Sequence, residues 1–175
     1  MLRLTFRPAT AEDTDLLVSL VNSAYRGDVS RAGWTTEADL LGGQRTDSDE
    51  IQSLITTQNS IILLGMQDTE VIAALQLRLD GANAPLGMFA IKPTVQGAGI
   101  CKQCLQKAEH FVQHEWGVST IAMTVITLRH ALIAYYERRG YRNTGLLKPF
   151  PASPKFGIPR VTGLQLTVFI KSLST

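Results

Sequence analysis

The chain has 175 residues, of which 45% are hydrophobic, so it can bury a full core and we expect a single domain over residues 1–175. Its formal net charge of +2 and the lack of a basic run argue against a nucleic-acid partner. No apolar segment reaches the roughly 20 residues of a membrane helix, and the first residues lack a signal-peptide core, so we expect a cytoplasmic protein without a membrane partner.

The first half of the chain predicts a strand and then helices. Residues 2–7 alternate apolar and polar side chains, as a half-buried strand does. Thr10 and Asp13 resemble a helix N-cap, and apolar residues recur at helical spacing as far as Tyr25. Residues 26–34 show no periodicity and predict a loop. Caps at Thr36 and Asp47 predict two short helices, and this region could form a substrate wall.

The second half changes to the period of strands. Residues 61–66, 71–79 and 86–91 predict an antiparallel meander, because polar turns separate three apolar runs. A helix over 97–116, a strand over 120–126, a helix over 130–139 and a strand over 141–147 follow. This alternation implies crossover connections and a partly parallel sheet. A proline-rich loop over 148–159 precedes a last strand at 164–170.

Two pairs of possible metal ligands lie on the helix over 97–116. Cys101 and Cys104 form a Cys-x-x-Cys pattern, which occurs in redox sites and in zinc sites. There is no second cysteine pair, and Cys104 lies on the apolar stripe, so we interpret both as buried structural thiols. His110 and His114 have a metal-binding spacing but no third ligand, so we expect exposed helix surface and no metal site.

A glycine turn, Gln96-Gly97-Ala98-Gly99-Ile100-Cys101, separates the strand over 86–91 from the helix. Such a turn presents unpaired backbone N–H groups and the positive end of the helix dipole, which suits a phosphate or pyrophosphate. The turn fits neither the dinucleotide fingerprint nor the Walker loop. An ordinary strand-to-helix turn remains the alternative.

Two segments resemble motifs of the GNAT acetyltransferases. Gln96 and Gly99 match motif A, Gln/Arg-x-x-Gly-x-Gly/Ala, with Cys101 where Gly or Ala is usual. Residues 134–141, Ala-Tyr-Tyr-Glu-Arg-Arg-Gly-Tyr, resemble the end of motif B at the spacing of that family. Arg129 stands where the family usually has an Asn that contacts pantetheine. Residues 33–41 also resemble a subgroup signature for which we can name no substrate.

The resemblance implies an α/β (α+β) fold: a mixed, mostly antiparallel sheet of six or seven strands flanked by helices, with a V-shaped cofactor cleft between the fourth and fifth strands. It implies acetyl-CoA as cofactor, an amine of a small molecule or peptide as acceptor, and a monomer or homodimer. The cofactor-binding residues that it implies are Phe89, Ala90, Ile91, Gln96, Gly97, Ala98, Gly99, Ile100, Cys101, Lys102, Arg129 and Tyr136.

The chemistry of acetyl transfer assigns roles to this set. Backbone N–H groups of residues 88–91 can bind the thioester carbonyl if the next strand diverges. Tyr136 is the expected acid for the leaving thiolate, although packing against the sheet, or replacement by Tyr135, is the alternative. Glu37 is the candidate base by resemblance; the alternative is that it caps its own short helix. An amine that arrives neutral needs no base.

The acceptor wall predicted by resemblance contains Tyr25, Asp28, Trp34 and Glu37, a mixture of rings and carboxylates that suits a cationic amine. Alternatively, Trp34 fills the core and the acids cap helices or face water. The leading function is an N-acetyltransferase. The competing one is a module that binds an acyl-CoA without turning it over.

Overall fold

The computed structural model describes residues 3–173, which contain four α-helices and nine strands. The helices are α1 (Thr14–Tyr25), α2 (Ser48–Thr56), α3 (Ile100–His114) and α4 (His130–Glu137). The strands are β1 (Thr5–Pro8), β2 (Leu41–Gly42), β3 (Ser60–Gln67), β4 (Glu70–Arg78), β5 (Ala84–Ile91), β6 (Thr120–Ile126), β7 (Arg142–Pro149), β8 (Ile158–Pro159) and β9 (Gln165–Ser172). Leu2, in the first predicted strand, lies outside the described residues.

Seven strands form the central sheet, in the order β1-β3-β4-β5-β6-β9-β7. The predicted meander β3-β4-β5 is antiparallel, and β5 and β6, joined through α3, are parallel. The last strand, β9, lies between β6 and β7 and is antiparallel to both. The expected fold class, a mixed and mostly antiparallel sheet with flanking helices, is confirmed.

The helices cover the two faces of this sheet. On one face, Leu17 of α1 and Ile51 of α2 pack with Ile62, Leu64 and other apolar residues of β3 to β5. On the other face, α3 and α4 pack with alternate residues of the same strands and with β6 and β9. Leu86 and Met88 are two residues apart but lie on opposite faces, because an irregularity in the pairing of β5 with β4 interrupts the alternation there. Residues 3–173 contain no helix that is both long and apolar enough to cross a membrane.

The local signals for helix starts were right at two places and wrong at one. The Thr10 backbone N–H donates to Asp13 at 2.8 Å before α1, and Asp47 accepts from the Glu50 backbone N–H at 2.8 Å before α2. The short helix predicted after Thr36 is instead a turn followed by β2. A segment this short, which ends at two glycines, cannot repay the cost of nucleating a helix. Strand β2 pairs with β8, inside the predicted loop over 148–159.

The sheet opens between β5 and β6, the fourth and fifth of its strands in chain order. These strands pair only at Ala84 with Ile121 and at Pro85 with Ala122. Beyond that point β5 is distorted, because its register with β4 shifts and Met88 has a φ of +45°. The strands therefore separate into the expected V-shaped gap, and the β6-facing edge of residues 86–91 has no strand partner.

Candidate active site

The gap between β5 and β6 contains a cavity of about 280 Å³. Residues 86–89 of β5 and 123–126 of β6 form two of its walls. Tyr136 of α4 reaches it from one face of the sheet, and Tyr25 at the end of α1 reaches it from the other. The cavity therefore connects the two faces, so that two ligands arriving from opposite sides could meet inside it.

On the α3 side, the glycine turn has the properties of a pyrophosphate seat. Gly97 and Gly99 have φ angles of +95° and +76°, and a Cβ built on either meets no atom within 4 Å. The first intrahelical bond runs from the Gln103 amide to the Gly99 carbonyl, so the N–H groups of residues 99–102 are free of helix partners. These exposed donors at the start of a 15-residue helix fit a bound phosphate.

The side chain of Gln96 binds another part of the protein. Its amide nitrogen donates to Thr35 Oγ1 at 2.8 Å and to the Ile91 carbonyl at 3.0 Å, and its oxygen accepts from the Thr35 N–H at 3.3 Å. A Cβ on Gly33 would lie 2.4 Å from the Gln96 amide oxygen, so Gly33 allows this close approach. Gln96 therefore ties residues 33–37 to the glycine turn.

The two cysteines of α3 are packed thiols. Cys104 is buried, and Cys101, which faces the narrow passage beside Tyr136, is partly buried. Burial raises the pKa of Cys101 to about 11 and raises that of Cys104 as well. Both thiols therefore stay protonated near neutral pH, which agrees with their interpretation as structural residues.

Tyr136 lies at the junction of the cavity with this passage. Its side chain packs edge-to-face against Tyr135 and Tyr141, with ring centroids 5.8 Å apart in both pairs. Burial is the main reason that the pKa of Tyr136 lies well above its ordinary value of 10. The hydroxyl therefore keeps its proton and can act as a hydrogen-bond donor inside the cavity.

Glu37 is the centre of a buried ion-pair network. Its Oε2 accepts a hydrogen bond of 2.5 Å from Arg26, and its Oε1 accepts one of 3.0 Å from Arg129. Arg129 also donates to the Thr35 carbonyl, and Arg26 donates to the Phe156 carbonyl at 2.7 Å. All three charged side chains are about nine-tenths buried. Glu37 thus caps no helix, and Arg129 binds the segment that contains Thr35 and Glu37.

The structure brings together only part of the predicted acceptor wall. Tyr25 and Glu37 line the cavity, and the Tyr25 hydroxyl donates to the Phe89 carbonyl. Asp28 is fully exposed and pairs with Arg31 at 3.4 Å. Trp34 is 43% exposed and packs against Tyr135 with ring centroids 5.4 Å apart, in a separate open groove along α4.

Several lining residues carried no signal in the sequence. Arg26 and Arg45 lie in segments without periodicity, and Phe150, Pro151 and Phe156 lie in the predicted proline-rich loop. The loop residues reach the cavity because β2 pairs with β8, which brings the 148–159 segment next to the end of α1, where Arg26 donates to the Phe156 carbonyl. A pairing of two residues per strand leaves no pattern that a sequence argument can detect.

Comparison of the sequence with protein-family profiles identifies the family of this chain. The sequence profile of the acetyltransferase (GNAT) family matches residues 20–141, a span that contains both motifs and the cavity strands β5 and β6. The chain belongs to the GNAT acetyltransferase family. It is accordingly an N-acetyltransferase that uses acetyl-CoA, and the exposed glycine turn fits that cofactor. No curated protein matches the sequence.

Solved structures of other GNAT proteins share the fold of this acetyltransferase. The ribosomal-protein-S18-alanine N-acetyltransferase of Escherichia coli superposes with a TM-score of 0.72 at 14% identity, covering 99% of this chain and 96% of the other. A spermidine N-acetyltransferase chimera from Vibrio cholerae gives 0.70 at 14% identity, covering 97% and 95%. A candidate acetyltransferase from Salmonella typhimurium, solved with its cofactor acetyl-CoA, gives 0.69 at 16% identity, covering 98% and 94%. At these identities the likeness concerns the fold.

Proposed function

We propose that this GNAT enzyme acetylates a primary amine of a small molecule or peptide by direct transfer, with acetyl-CoA and the amine bound together. The observation that carries the proposal is the cavity between β5 and β6, which opens to both faces of the sheet. The cofactor side is formed by α3 and α4, and the acceptor side by α1 and the segment before α2. An acetyl donor and an amine can then meet without a covalent intermediate on the protein.

Backbone groups supply the binding donors on the cofactor side. The free N–H groups of residues 99–102 would hold the pyrophosphate, and Gly97 and Gly99 would let it approach the turn. Bound acetyl-CoA supplies an acetyl thioester as the group donor. The unpaired edge of residues 86–91 offers N–H donors of fixed position, which can stabilise negative charge on a carbonyl oxygen.

Tyr136 would hold a proton at its hydroxyl, beside the reacting groups. Because burial raises the pKa of Tyr136 well above 10, the group remains a donor over the whole working pH range. A donor in this position stabilises the negative charge that develops on a leaving sulfur. It can also transfer its proton to that sulfur, provided that water then returns a proton to the tyrosine. Tyr135 does not line the cavity. Its ring stacks on the Arg139 guanidinium, with 3.7 Å between the guanidinium carbon and the ring centroid.

Glu37 would position other side chains and leave the substrate proton to solvent. Both of its carboxylate oxygens already accept bonds from guanidinium groups, so a substrate ammonium would compete with two buried arginines for it. An amine in its neutral form, or one that loses its proton to water in the open cavity, needs no protein base. The network instead fixes residues 35–37 and the start of α4 at the edge of the cavity.

The proposal is tested by mixing the enzyme and acetyl-CoA with a panel of primary amines and measuring released thiol and acetylated amine. We expect at least one small amine to give both products in equal amounts. Release of thiol without an acetylated amine would mean hydrolysis only. Tight CoA binding with no release from any amine would favour an acyl-CoA-binding module instead.

A further inference from the structure

The cavity is rich in arginine. Its lining includes three guanidinium groups, from Arg26, Arg45 and Arg129, and one carboxylate, from Glu37. A further acid, Glu50, pairs with Arg45, with 3.8 Å between Arg45 Nη1 and Glu50 Oε1. Tyr25 stays neutral, because burial raises its pKa to about 12. The cavity therefore has an excess of positive charge.

Arg45 is the most loosely held of these arginines: Arg26 and Arg129 both bond to Glu37, whereas the Arg45 guanidinium lies 3.8 Å from Glu50 and its side chain is 23% exposed. Among residues 3–173, the buried side-chain nitrogen or oxygen atoms without a hydrogen-bond partner are Arg26 Nε, Arg45 Nη1 and Arg139 Nε. The first two belong to side chains that line this cavity, and the Arg26 side chain is only 4% exposed. Leaving a buried donor unsatisfied costs roughly 1–3 kcal/mol, so folded proteins rarely do so without a reason. A carboxylate in the cavity would bind the accessible part of the Arg45 side chain and would bring negative charge close to the buried Arg26.

We infer that the acceptor is a small amine that carries its own carboxylate, such as an α-amino acid with an apolar side chain. This rests on the proposed function and specifies its acceptor. Guanidinium groups bind carboxylates in a planar, charge-assisted geometry, and the loosely held, partly exposed Arg45 can offer this interaction. The remaining wall is apolar, with Phe150, Phe156 and Leu166 on the side of β8 and β9. A cavity of about 280 Å³ suits a molecule of that size.

This acceptor differs from the cationic amine that the sequence suggests. Of the four residues behind that suggestion, Asp28 and Trp34 lie outside the cavity, as described above. Glu37 lies inside it, but two arginines neutralise its charge. A polycation would therefore meet net positive charge at the site of transfer. An amino acid would place its carboxylate near Arg26 and Arg45 on the α1 side of the sheet, with its amine toward the gap between β5 and β6.

The test compares matched pairs of acceptors: L-leucine with L-leucinamide, L-methionine with L-methioninamide, and L-phenylalanine with L-phenylalaninamide, with spermidine as a polycation. We expect kcat/KM for at least one acid, corrected for the fraction of neutral amine, to exceed that of its amide by at least tenfold. An amide or spermidine that is acetylated as well as every acid would overturn the inference while leaving the acetyltransferase activity in place.

Binding measured by calorimetry in the presence of CoA gives a second readout that needs no turnover. If no amine releases thiol, the proposed function fails. Tighter binding of an acid than of its amide would still support a carboxylate-bearing ligand, and equal or weaker binding would refute it. Arg45→Gln should reduce the preference for the acid at least tenfold, and Arg45→Lys should retain part of it. Arg78→Gln, at the exposed end of β4, is the matched control. An undiminished preference in folded Arg45→Gln would refute the assignment.

Discussion

The Arg129 guanidinium donates a hydrogen bond of 3.0 Å to the Glu37 carboxylate, although the two residues lie 92 positions apart in the chain. Arg26 occupies the other oxygen of the same carboxylate. The interaction joins the start of α4 to the segment after α1 at the edge of the cavity. Glu37 therefore acts on the site through the arginines that it holds.

Glu37→Ala is expected to lower the free energy of unfolding by about 3–5 kcal/mol, because it leaves two buried guanidinium groups without their anion. Denaturant unfolding measures the change. Asp39→Ala is the matched control, since Asp39 pairs with Arg31 on the exposed surface and its loss should have a much smaller effect. Equal effects of the two substitutions would contradict the structural importance of the network.

Glu37→Gln separates a positioning role from proton abstraction. If Glu37 is a base, high pH should restore the activity of the variant, because the amine is already neutral there. If the substitution misplaces the arginines, high pH should not restore the activity. We expect the ratio of wild-type to variant kcat to stay constant between pH 7 and pH 10. A variant whose activity approaches that of the wild type at pH 10 would restore Glu37 as the base.

Tyr136→Phe should lower kcat by roughly a hundredfold while the protein stays folded, because it removes only the hydroxyl donor. Tyr135→Phe, the matched control, should have a small effect. The pKa of Tyr136 is raised by burial, so the wild-type enzyme should not lose activity up to pH 10 through loss of this proton. An alkaline loss of activity that disappears in Tyr136→Phe would show that the hydroxyl titrates earlier.

Local patterns predicted the fold well, because side-chain periodicity and helix caps act within a few residues. The meander, α3, β6 and α4 all lie within a few residues of their predicted bounds. The predicted helix after Thr36 was wrong, since its backbone instead bonds to the 158–160 segment, for example from the Arg160 N–H to the Leu40 carbonyl at 2.8 Å. Long-range pairing of short strands overrode a local signal there.

The candidate site was predictable only where one segment builds it. The glycine turn is continuous in sequence, so its helix start and open backbone could be inferred from Gly97 and Gly99 alone. The rest of the cavity is assembled from segments far apart in the chain, and the two partners of Glu37, Arg26 and Arg129, come from different ones. Nothing near Glu37 in sequence indicates that two distant arginines will occupy its carboxylate.

Gly99→Val should weaken CoA binding at least tenfold, because a side chain would fill the space above the glycine turn and φ of +76° disfavours it. Gly81→Val is a matched control. Gly81 also has a positive φ, +60°, and open space around it, but it lies in the turn before β5. Both variants should be destabilised, and only Gly99→Val should change CoA affinity measured by calorimetry. Equal CoA affinities in the two variants would place the cofactor elsewhere.

The ion pair of Asp13 should make the free energy of unfolding fall in acid. Its carboxylate accepts two hydrogen bonds of 2.8 Å from Arg7, which are the largest cause of a pKa lowered from 3.8 to about 2. Because the folded pKa is the lower one, this stabilisation is present above about pH 4 and disappears as the pH falls toward 2. Because Arg7 is half-exposed, solvent screening limits this stabilisation to about 1–2 kcal/mol. Unfolding of Asp13→Asn should lack this pH dependence, whereas exposed Asp15→Asn should retain it.

Gln96→Ala is expected to loosen the segment over residues 33–37 without unfolding the protein. The substitution removes the two hydrogen bonds with Thr35 and the one to the Ile91 carbonyl. A neutral hydrogen bond contributes about 1 kcal/mol, so the Thr35 amide should exchange its hydrogen roughly five- to tenfold faster. Thr35 also lines the narrow passage beside Cys101 and Tyr136, so CoA should dissociate faster as well. Gln106→Ala, on the exposed face of α3, is the control. An unchanged rate of hydrogen exchange at the Thr35 amide in Gln96→Ala would mean that Arg129, through its bond to the Thr35 carbonyl, holds the segment without Gln96.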